Sequence, residues 1–445
     1  GEYSNQDKTA NAPLRWFFAM ARIGGLVCAR LRFIIWNSAQ RFPAIRSWVT
    51  CHGRAFNGTR SIASERCYRQ WGVTMRILMV TTSHEWDDSR IFWLEALALL
   101  GIGVDVTILA INDESELSEM NGIGVVALGH QRRRLGRFFL NPIAAFDYCR
   151  KHSHQYDVLH LHDSELMPWV GWLRRTTKLP VVYDMHEFAS DVLESRSWIP
   201  SWLRGFAVMT ARVLEKRAFC SASAVVTVNE IGETHALQLG AREVAVFMGV
   251  PSRHQAEQAK PYDSERVGVA YTSSSLCRIR GADIISAVAP RLLESDQCKI
   301  IVAGRPMDEA GFHMIGVPGI EYRGVVTRPE VLHILNQAAV GWLPERRTPN
   351  HEKAWPLKLG EYMAAGLPIV TTDLGYCSRI VGKYDCGIVV DSDDDDDHLA
   401  ALQYLIRNHP EAQRMGSNGR RAIMEDFNSE VFARELQKLY TRIVA

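Results

Sequence analysis

The repeated alternation of short apolar segments with longer stretches of helical character constrains the fold of this chain more than any other feature. The apolar segments are rich in β-branched and aliphatic residues, as expected of strands that are buried on both faces of a parallel sheet. They lie at 75–81, 104–110, 156–161, 179–183 and 224–228, and again at 267–271, 299–303, 340–343, 368–371 and 387–390. Strands that alternate with helices are joined by right-handed crossovers. The sequence therefore predicts an α/β chain with two parallel sheets.

A polar segment separates the two sets of strands. Residues 249–265 contain two prolines and show no apolar periodicity, which is typical of an interdomain linker. We therefore predict one domain over 71–248 and a second over 266–428. The last stretch, 429–445, has a helical pattern with no strand after it and could pack across both halves. Two similar α/β halves place a ligand cleft between them, because open parallel sheets bind ligands at the carboxyl ends of their strands.

Charge is unevenly distributed, although 51 basic and 50 acidic residues leave a formal net charge of only +1. Residues 1–70 contain eleven basic and three acidic residues, so the rest of the chain is mildly acidic. In this segment arginines alternate with large apolar residues such as Trp16, Phe17 and Trp36, a composition typical of a helix in a membrane interface. An Arg-rich targeting peptide or a partner-binding helix is the alternative. We predict a basic amphipathic helical arm over 1–70 that contacts an anionic membrane surface, and no nucleic-acid partner.

Several other protein classes are disfavoured. The chain has no run of 18 uncharged apolar residues, because arginines interrupt its most apolar part, so a transmembrane span is not expected. The nine cysteines include no CxxC pair, which disfavours a zinc site or a disulfide framework and favours a reducing compartment. We therefore expect a cytoplasmic protein that is held peripherally on the inner face of a membrane.

The turn after the first predicted strand, TTSHEWDDSRIF, contains no glycine. A dinucleotide-binding domain needs GxGxxG at this place, where backbone must approach a pyrophosphate, so that class of domain is disfavoured. Asp88 and Arg90 lie at the start of the following helix. They either cap and open that helix or line a substrate site.

Two further polar motifs, LHLHDSEL and VVYDMHEF, lie at predicted strand ends, where a parallel sheet usually presents ligand-binding groups. The residues of interest in them are His160, His162, Asp163, His186 and Glu187. Histidines two residues apart on a strand share a face and could bind a metal. No other residues there have ligand spacing, so we predict no metal site. His186 is the better candidate for a hydrogen bond to a substrate hydroxyl or leaving oxygen, with a purely structural role as the alternative.

The second half contains the segment AYTSSSLCRIRGAD, residues 270–283, with the pattern of a strand, a hydroxyl-rich loop and a helix start. Ser274 and Ser275 are small enough to let backbone approach an anion. Arg278 and Arg280 could clamp phosphate oxygens, and a helix N-terminus adds its dipole. The pattern predicts a phosphate-binding loop, although arginines at a helix start also occur as solvated surface residues.

The most specific segment is WPLKLGEYMAAGLPIVTTDLG, residues 355–375. Pro356 starts a helix that carries Lys358 and Glu361 at i and i+3, on the same face. The two residues are either functional groups or a surface ion pair before an ordinary helix stop. The acidic run at 391–397 is interpreted as a solvated helix cap, since it lacks the glycine and terminal glutamate of a calcium loop.

These motifs resemble those of a known enzyme family. KLGEYMAAGLPIVTTD is similar to the signature of retaining family 4 glycosyltransferases of the two-Rossmann-domain (GT-B) type. HDSELMP together with YDMHEF resembles the HDpELLP and YDxHE motifs of a bacterial branch of that family, and WDDSRIFWLEALALLGIGVDV matches its opening helix. The resemblance covers roughly residues 74–445 and none of the arm.

The resemblance implies two Rossmann-like domains that face each other across a cleft, with the acceptor bound by the first and a nucleotide-sugar donor by the second. It implies transfer of a hexose, with retention, to an acceptor hydroxyl, without metal or cofactor. We expect that acceptor to be a lipid-linked glycan or polysaccharide precursor at a membrane. The implied catalytic residues are His186 near the donor sugar and acceptor, Arg280 at the pyrophosphate and Glu361 at the ribose. The other expected donor-binding residues are Ser274, Ser275, Arg278 and Lys358, and the expected acceptor-binding residues are Asp88, Arg90, His162, Asp163 and Glu187.

The chain departs from the family pattern at three positions. Lys353 stands where the family has a glutamate, Ser275 where it has a basic residue, and Met248 where it commonly has an asparagine. Two alternatives to the glycosyltransferase therefore stay open. They are a non-catalytic GT-B subunit that scaffolds a membrane assembly, and a nucleotide-sugar epimerase of the same architecture.

Overall fold

The structure is a computed structural model that describes residues 74–111, 118–128, 140–195, 199–263 and 265–445. All of these residues belong to one unit, Cys67–Ala445. The arm predicted at 1–70 lies outside the described residues, and its helical character stays a prediction.

The first sheet is built from the early part of the chain. Its described strands are β1 (Arg76–Glu85), β2 (Asp105–Ile111), β3 (Ser118–Met120), β4 (Ile123–Leu128), β5 (Val158–Leu161), β6 (Val181–Met185), β7 (Ala224–Thr227) and β8 (Val244–Val246). They lie side by side in the order β3-β4-β2-β1-β5-β6-β7-β8, and every pair is parallel except β3 with β4. Strands β5, β6 and β7 are buried along their whole length, as their apolar sequences predict.

Helices cover both faces of this sheet. They are α1 (Ser89–Ala96), which has the wide turns of a π-helix, α2 (Leu97–Gly101), α3 (Asn141–His152), α4 (Val170–Thr177), α5 (Ala189–Ser195), α6 (Ser201–Ser221) and α7 (Glu230–Gln238). Short 3-10 turns lie at Ser153–Gln155 and Ser164–Trp169. A separate apolar core forms on each face of the sheet.

The second sheet is parallel throughout the described chain. Its strands are β9 (Val269–Leu276), β10 (Ile300–Pro306), β11 (Ile320–Tyr322), β12 (Val340–Leu343), β13 (Ile369–Thr372) and β14 (Gly387–Val390), in the order β11-β10-β9-β12-β13-β14. The accompanying helices are α8 (Arg253–Gln258), α9 (Ala282–Asp296), α10 (Glu309–Met314), α11 (Arg328–Gln337), α12 (Leu357–Ala364), α13 (Gly375–Tyr384), α14 (Asp395–Arg407) and α15 (His409–Glu425), with a 3-10 turn at Arg278–Arg280. The predicted α/β architecture with two parallel sheets is confirmed.

The chain crosses between the two halves twice. The first crossing follows β8 and contains α8, which begins with a capping box between Ser252 and Gln255. The second crossing leads to the last helix, α16 (Ser429–Val444), whose N-cap is Asn428. Leu436 and Tyr440 of α16 join the apolar core on one face of the first sheet. The C-terminal helix therefore completes the first domain, although the preceding helices belong to the second.

The carboxyl ends of both sheets border one cleft. Asp191, in the helix after β6, lies 2.6 Å from Lys353, which follows β12. Trp93, in the helix after β1, lies under the guanidinium of Arg328, which begins the helix after β11. Because each of these residues follows the end of a strand, the contacts place both sets of strand ends on the two sides of the same cleft. Within the described ranges, no helix combines the length and apolarity needed to cross a bilayer.

Candidate active site

The loop after β1 is held by a buried carboxylate that follows the neighbouring strand β5. One oxygen of Asp163 accepts hydrogen bonds from the Thr81 hydroxyl (2.8 Å) and from the backbone amides of Thr82 and Ser83. The other oxygen lies 2.9 Å from His84 Nδ1. Burial would raise the pKa of Asp163, but His84 and the hydrogen-bond donors hold it below its usual range. Both oxygens are engaged within the protein, so the structure makes Asp163 a positioning residue for this loop in place of the predicted acceptor contact.

Arg90 is buried against the end of β6. Its guanidinium donates to both oxygens of Asp184 (2.9 and 2.8 Å) and to the Phe247 carbonyl (3.0 Å). Burial would lower the pKa of Arg90, but the Asp184 carboxylate holds it above its usual value. Asp88 caps α1, because its side chain accepts from the backbone amides of Arg90 and Ile91. The structure corrects the acceptor assignment of Arg90, and it supports the capping alternative for Asp88.

Asp184 also holds two histidines together. Its Oδ2 lies 3.3 Å from His162 Nδ1 and 3.1 Å from His186 Nε2, and these two ring nitrogens are 3.2 Å apart. Burial would raise the pKa of Asp184, but Arg90 and His186 keep it well below its usual value. Burial lowers the pKa of His162, which favours the neutral ring. The His186 side chain is 18% exposed and Glu187 beside it is exposed, so His186 and Glu187 are the residues of this group that a substrate can reach.

A second buried layer lies behind His162. The ring of His160 stacks on that of His162 with centroids 4.5 Å apart. His160 Nδ1 lies 2.8 Å from the Tyr440 hydroxyl and 3.4 Å from Glu95 Oε1. Burial raises the pKa of Glu95 well above its usual value and lowers that of His160, so both groups favour their neutral forms. The C-terminal helix therefore contributes to the support of the cleft through Tyr440.

These side chains form two groups with potential metal-ligand spacing, whose ligand atoms lie within 4.8 Å of one another. The groups are Glu95 with His160 and His162, and His162 with Asp184 and His186. The sequence argument that the histidines have no such neighbours is therefore wrong, because Glu95 and Asp184 come from other elements. A cation at either group would have to compete with a guanidinium or with a proton. Both oxygens of Asp184 are bonded to Arg90, and the raised pKa of Glu95 disfavours the charged form that would bind a metal.

The predicted phosphate loop follows β9 and enters α9 through a tight turn. Arg280 Nη1 donates to the Ser273 hydroxyl (3.2 Å), and the Arg280 carbonyl accepts a hydrogen bond from the buried Tyr271 hydroxyl (2.7 Å). Gly281 has a φ of +84°, and a Cβ at this position would lie 1.9 Å from the Pro344 carbonyl oxygen. The turn therefore requires glycine to bring Arg280 and the start of α9 against the end of β12.

The other residues of this loop differ in how they are held. Ser274 is exposed, and Ser275 is half-buried with its carbonyl accepting from the Ser273 hydroxyl (2.9 Å). The Arg278 side chain is 74% exposed and its Nε lies 3.3 Å from Asp283. Arg278 thus matches the solvated-surface alternative, whereas Arg280 is the constrained arginine of the pair.

Lys358 is buried beside a carboxylate from a different loop. Its Nζ lies 2.9 Å from Glu345 Oε1 and 4.6 Å from the centre of the Tyr271 ring. Burial would raise the pKa of Glu345, but Lys358 lowers it to about 2. Glu361, the partner expected from the i, i+3 spacing, lies 3.5 Å from Arg328 instead. The alternative of a surface ion pair between Lys358 and Glu361 is therefore wrong. Lys358 instead neutralises the buried Glu345.

Arg328 connects Glu361 to the first domain. Its guanidinium lies 5.7 Å from the centre of the Trp93 ring across the cleft, within the range of a cation–π contact. The sequence analysis did not select Arg328. Its position as the first residue of a helix, directly after the N-cap Thr327 in TRPE, is the signal that could have found it.

A cavity opens beside the ion pair that joins Lys353 and Asp191 across the cleft. The Nζ of Lys353 lies 2.6 Å from Asp191 Oδ2 and 4.9 Å from the centre of the Phe188 ring. The cavity has a volume of about 460 Å³. Its lining residues are Phe188, Glu230, Ile231, Thr234, His235, Gln238, Lys353 and Arg379. Both halves of the chain contribute to it, and the second half contributes two cations.

Two family models match the chain. The model described as a glycosyl transferase 4-like domain matches residues 93–248, and the model described as glycosyl transferases group 1 matches residues 268–408. The first segment contains the strand ends with His162 and His186. The second contains the loop with Arg280 and the helix with Glu361.

Several solved structures share the fold at low sequence identity. Sucrose-phosphate synthase from Thermosynechococcus elongatus aligns with a TM-score of 0.65 at 16% identity, over 83% of this chain and 99% of that one. Anabaena Alr3699/HepE in complex with UDP and glucose aligns with a TM-score of 0.61 at 13% identity, over 83% of this chain and 100% of that one. TarM aligns with a TM-score of 0.54 at 15% identity, over 67% of this chain and 58% of that one. These likenesses establish the GT-B fold.

Two curated proteins resemble part of the chain. The putative teichuronic acid biosynthesis glycosyltransferase TuaH of Bacillus subtilis is 29% identical over 93 residues, which is 21% of this chain and 23% of that protein. The MMP alpha-(1->4)-mannosyltransferase of Mycolicibacterium hassiacum is 32% identical over 98 residues, which is 22% of this chain and 24% of that protein. The chain thus matches about a quarter of the length of these relatives. The two domain models together match about two thirds of the chain, and they support a glycosyltransferase with a 4-like first domain and a group 1 second domain.

Proposed function

We propose that this chain is a retaining glycosyltransferase that moves a sugar from a nucleotide-diphosphate donor to an acceptor hydroxyl. The observation that carries the proposal is the match of both halves to glycosyltransferase domains, combined with polar groups at the strand ends on both sides of one cleft. Parallel sheets bind ligands at these ends.

Arg280 and the N-terminus of α9 provide positive charge for the donor diphosphate. The loop holds Arg280 through Ser273 and Tyr271, so its guanidinium is oriented before the donor binds. Hydrogen-bond donors that are already oriented stabilise developing negative charge without reorganisation, and a helix N-terminus favours anions. Arg278 is too exposed for the same constraint, and Lys358 already neutralises Glu345. We therefore propose that Arg280, in place of a divalent cation, chiefly stabilises the negative charge on the departing diphosphate.

We assign ribose binding to Glu361. Its side chain is 21% exposed, and its Oε1 lies 3.5 Å from Arg328, which is long for a hydrogen bond. The carboxylate oxygens therefore keep the capacity to accept hydrogen bonds from the two ribose hydroxyls. Arg328 limits the movement of the carboxylate.

The proposed reaction is a front-side displacement. The acceptor oxygen bonds to the anomeric carbon on the face from which the diphosphate departs, and the bond between that carbon and the diphosphate oxygen breaks. The acceptor proton passes to an oxygen of the leaving diphosphate. His186, held 3.1 Å from Asp184, orients the sugar and the acceptor by hydrogen bonding.

The relatives narrow the choice of substrates to test. TuaH is named for teichuronic acid biosynthesis, the Mycolicibacterium hassiacum relative is named as a mannosyltransferase, and the Anabaena structure contains UDP and glucose. We propose a UDP- or GDP-hexose donor and a lipid-linked glycan or polysaccharide precursor as acceptor. The reaction would take place at the cytoplasmic face of a membrane, which residues 1–70 contact.

The test incubates the full chain with a panel of UDP- and GDP-sugars and follows release of the nucleoside diphosphate with and without a lipid-linked acceptor. Loss of one charge-stabilising group costs about 10²–10³ in kcat, so we expect a decrease of this order for Arg280→Met. Glu361→Gln should mainly raise KM for the donor. Arg434→Met, at an exposed position on α16, is the matched control and should keep full activity. The anomeric configuration of the product, read by NMR, tests retention.

Three other outcomes would contradict the proposal. Neither turnover nor donor binding across the panel would exclude a glycosyltransferase. Isomerised sugar or free diphosphate without acceptor would indicate the epimerase. Donor binding without turnover, with normal biological output from a Glu361→Ala chain, would indicate the scaffold subunit, which the replacement of a family glutamate by the ion-paired Lys353 favours.

A further inference from the structure

The outer face of α6 carries a continuous apolar stripe. Trp202, Phe206, Met209 and Val213 follow one another at intervals of four, three and four residues, and they are 79%, 65%, 58% and 52% exposed. Residues at these intervals share one face of a helix. The buried residues of the helix lie on the opposite face: Ala211, Glu215, Ala218 and Phe219. Large apolar side chains exposed side by side indicate an interaction surface.

Basic side chains border the stripe. Arg212, Lys216 and Arg217 are exposed, and at 100° per residue Lys216 and Arg217 fall on either side of the stripe beyond Val213. The one acidic residue of α6, Glu215, is 1% exposed, so this helix presents no negative charge outward. An apolar face flanked by Lys and Arg is the pattern of a helix that lies in the plane of an anionic membrane surface.

We propose that α6 docks this chain on an anionic lipid surface, with its apolar stripe in the interface and its cations against the headgroups. The charge of the helix favours this occupant over a second copy of the chain, because two such faces would bring six exposed cations together with no acid of α6 between them. In the sequence, α6 lies outside the arm at 1–70.

Docking through α6 would bring the bilayer close to the acceptor side of the cleft. Glu215 on the inner face of α6 accepts a hydrogen bond from the Ala189 amide (2.9 Å), which fixes the start of α5. Ala189 lies three residues after His186. The helix that carries the stripe thus directly supports the His186 loop, so a lipid-linked acceptor could reach it from the bilayer. This last step rests on the proposed function, whereas the docking itself does not.

The test is hydroxyl-radical footprinting of the full chain with and without lipid vesicles. Residues 1–70 are proposed to bind the same vesicles, so the readout is local oxidation of the stripe and not total binding. Vesicles of phosphatidylcholine and phosphatidylglycerol should slow the oxidation of Trp202 and Met209 by about fivefold or more, as expected for side chains buried at the headgroup boundary. Met307 and Phe312, which are 61% and 63% exposed in the second domain, are the internal controls and should keep their rates.

Charge variants separate lipid docking from other occupants. Reversal of two cations, Lys216→Glu with Arg217→Glu, should weaken the vesicle-dependent protection on the order of 100-fold in lipid concentration. The matched reversal of Arg421 and Arg434, which are exposed on α15 and α16, should leave it unchanged.

Three results would overturn the docking proposal, and none depends on sugar transfer. The stripe could oxidise equally with and without vesicles that bind the protein. It could be protected without lipid in proportion to protein concentration, which would indicate a second copy. It could also be protected without lipid at every concentration, which would indicate that another segment of this chain covers it.

Discussion

Replacement of Arg90 by methionine should destabilise the first domain far more than a change at a substrate-binding surface would. Arg90→Met keeps much of the side-chain volume but removes two hydrogen bonds, of 2.9 and 2.8 Å, from the fully buried Asp184. Breaking a buried ion pair costs about 3–5 kcal/mol. The Phe247 carbonyl also loses its donor, at about 1 kcal/mol, while His162 and His186 stay beside Asp184 and offset part of the loss. We therefore expect a decrease of about 3 kcal/mol in the free energy of unfolding.

The size of this decrease should depend on pH. In the wild type the pKa of Asp184 lies well below its usual value, so the carboxylate contributes stability above its unfolded-state pKa of about 4 and loses it as the pH falls through the folded-state pKa. Without Arg90, burial raises the pKa of Asp184, and the folded variant gains stability when that carboxyl takes up a proton. The difference between wild type and Arg90→Met should therefore narrow as the pH falls from about 7 towards about 5.

Urea denaturation, followed by tryptophan fluorescence at both pH values, measures the effect. The double variant Arg90→Met with Asp184→Asn should recover part of the lost stability, because a buried amide needs no countercharge. Arg90→Lys is the conservative control and should lose less than Arg90→Met. An unchanged unfolding midpoint for Arg90→Met, together with a raised KM for the acceptor, would refute the buried role of Arg90 and restore the acceptor role predicted from sequence.

Three further changes test other parts of the structure. Gly281→Ala places a Cβ 1.9 Å from a backbone carbonyl at a positive φ. It should lower the free energy of unfolding by more than about 2 kcal/mol in a thermal melt and weaken UDP binding in calorimetry. Wild-type values for both would contradict the tight turn. Tyr440→Phe removes the 2.8 Å contact with His160 and should lower the free energy of unfolding by about 1 kcal/mol, whereas an unchanged melting temperature would show that His160 needs no such partner. Lys353→Ala breaks the ion pair with Asp191 and should lower the free energy of unfolding in urea by no more than about 1 kcal/mol, because the lysine side chain is 37% exposed. A larger decrease would mean that the contact holds the two domains together.

The strands that are buried on both faces of a sheet were predictable from the sequence. Strands such as β6 and β7 are buried on both faces, and their unbroken aliphatic runs mark them clearly. Strands β4, IGVVAL, and β8 were not predicted, because both are partly exposed, β8 has only three residues, and their pairing depends on neighbouring strands. Helix α8 was taken for linker, although the Ser252 and Gln255 capping box marks its start.

The positions of the candidate site residues at strand ends were predictable from the sequence, but their hydrogen-bond and ion-pair partners were not. Parallel topology alone places His162, His186 and Arg280 at strand ends, so local sequence was sufficient to find them. The bond between Arg90 and Asp184 joins residues 94 positions apart, and no local pattern specifies it. The same limit applies to Lys358, whose partner Glu345 lies in a loop and not on the same helix face.

The return of α16 to the first sheet has a consequence for the order in which the protein can mature. During synthesis the strands of the first sheet leave the ribosome early, but the part of one face that α1 and α2 do not cover stays exposed until Leu436 and Tyr440 follow. Domains otherwise tend to fold as they emerge, N-terminal first. Here part of the first domain has to wait for α16, so a chain that a stalled ribosome releases before α16 would expose part of an apolar sheet face to chaperones and proteases.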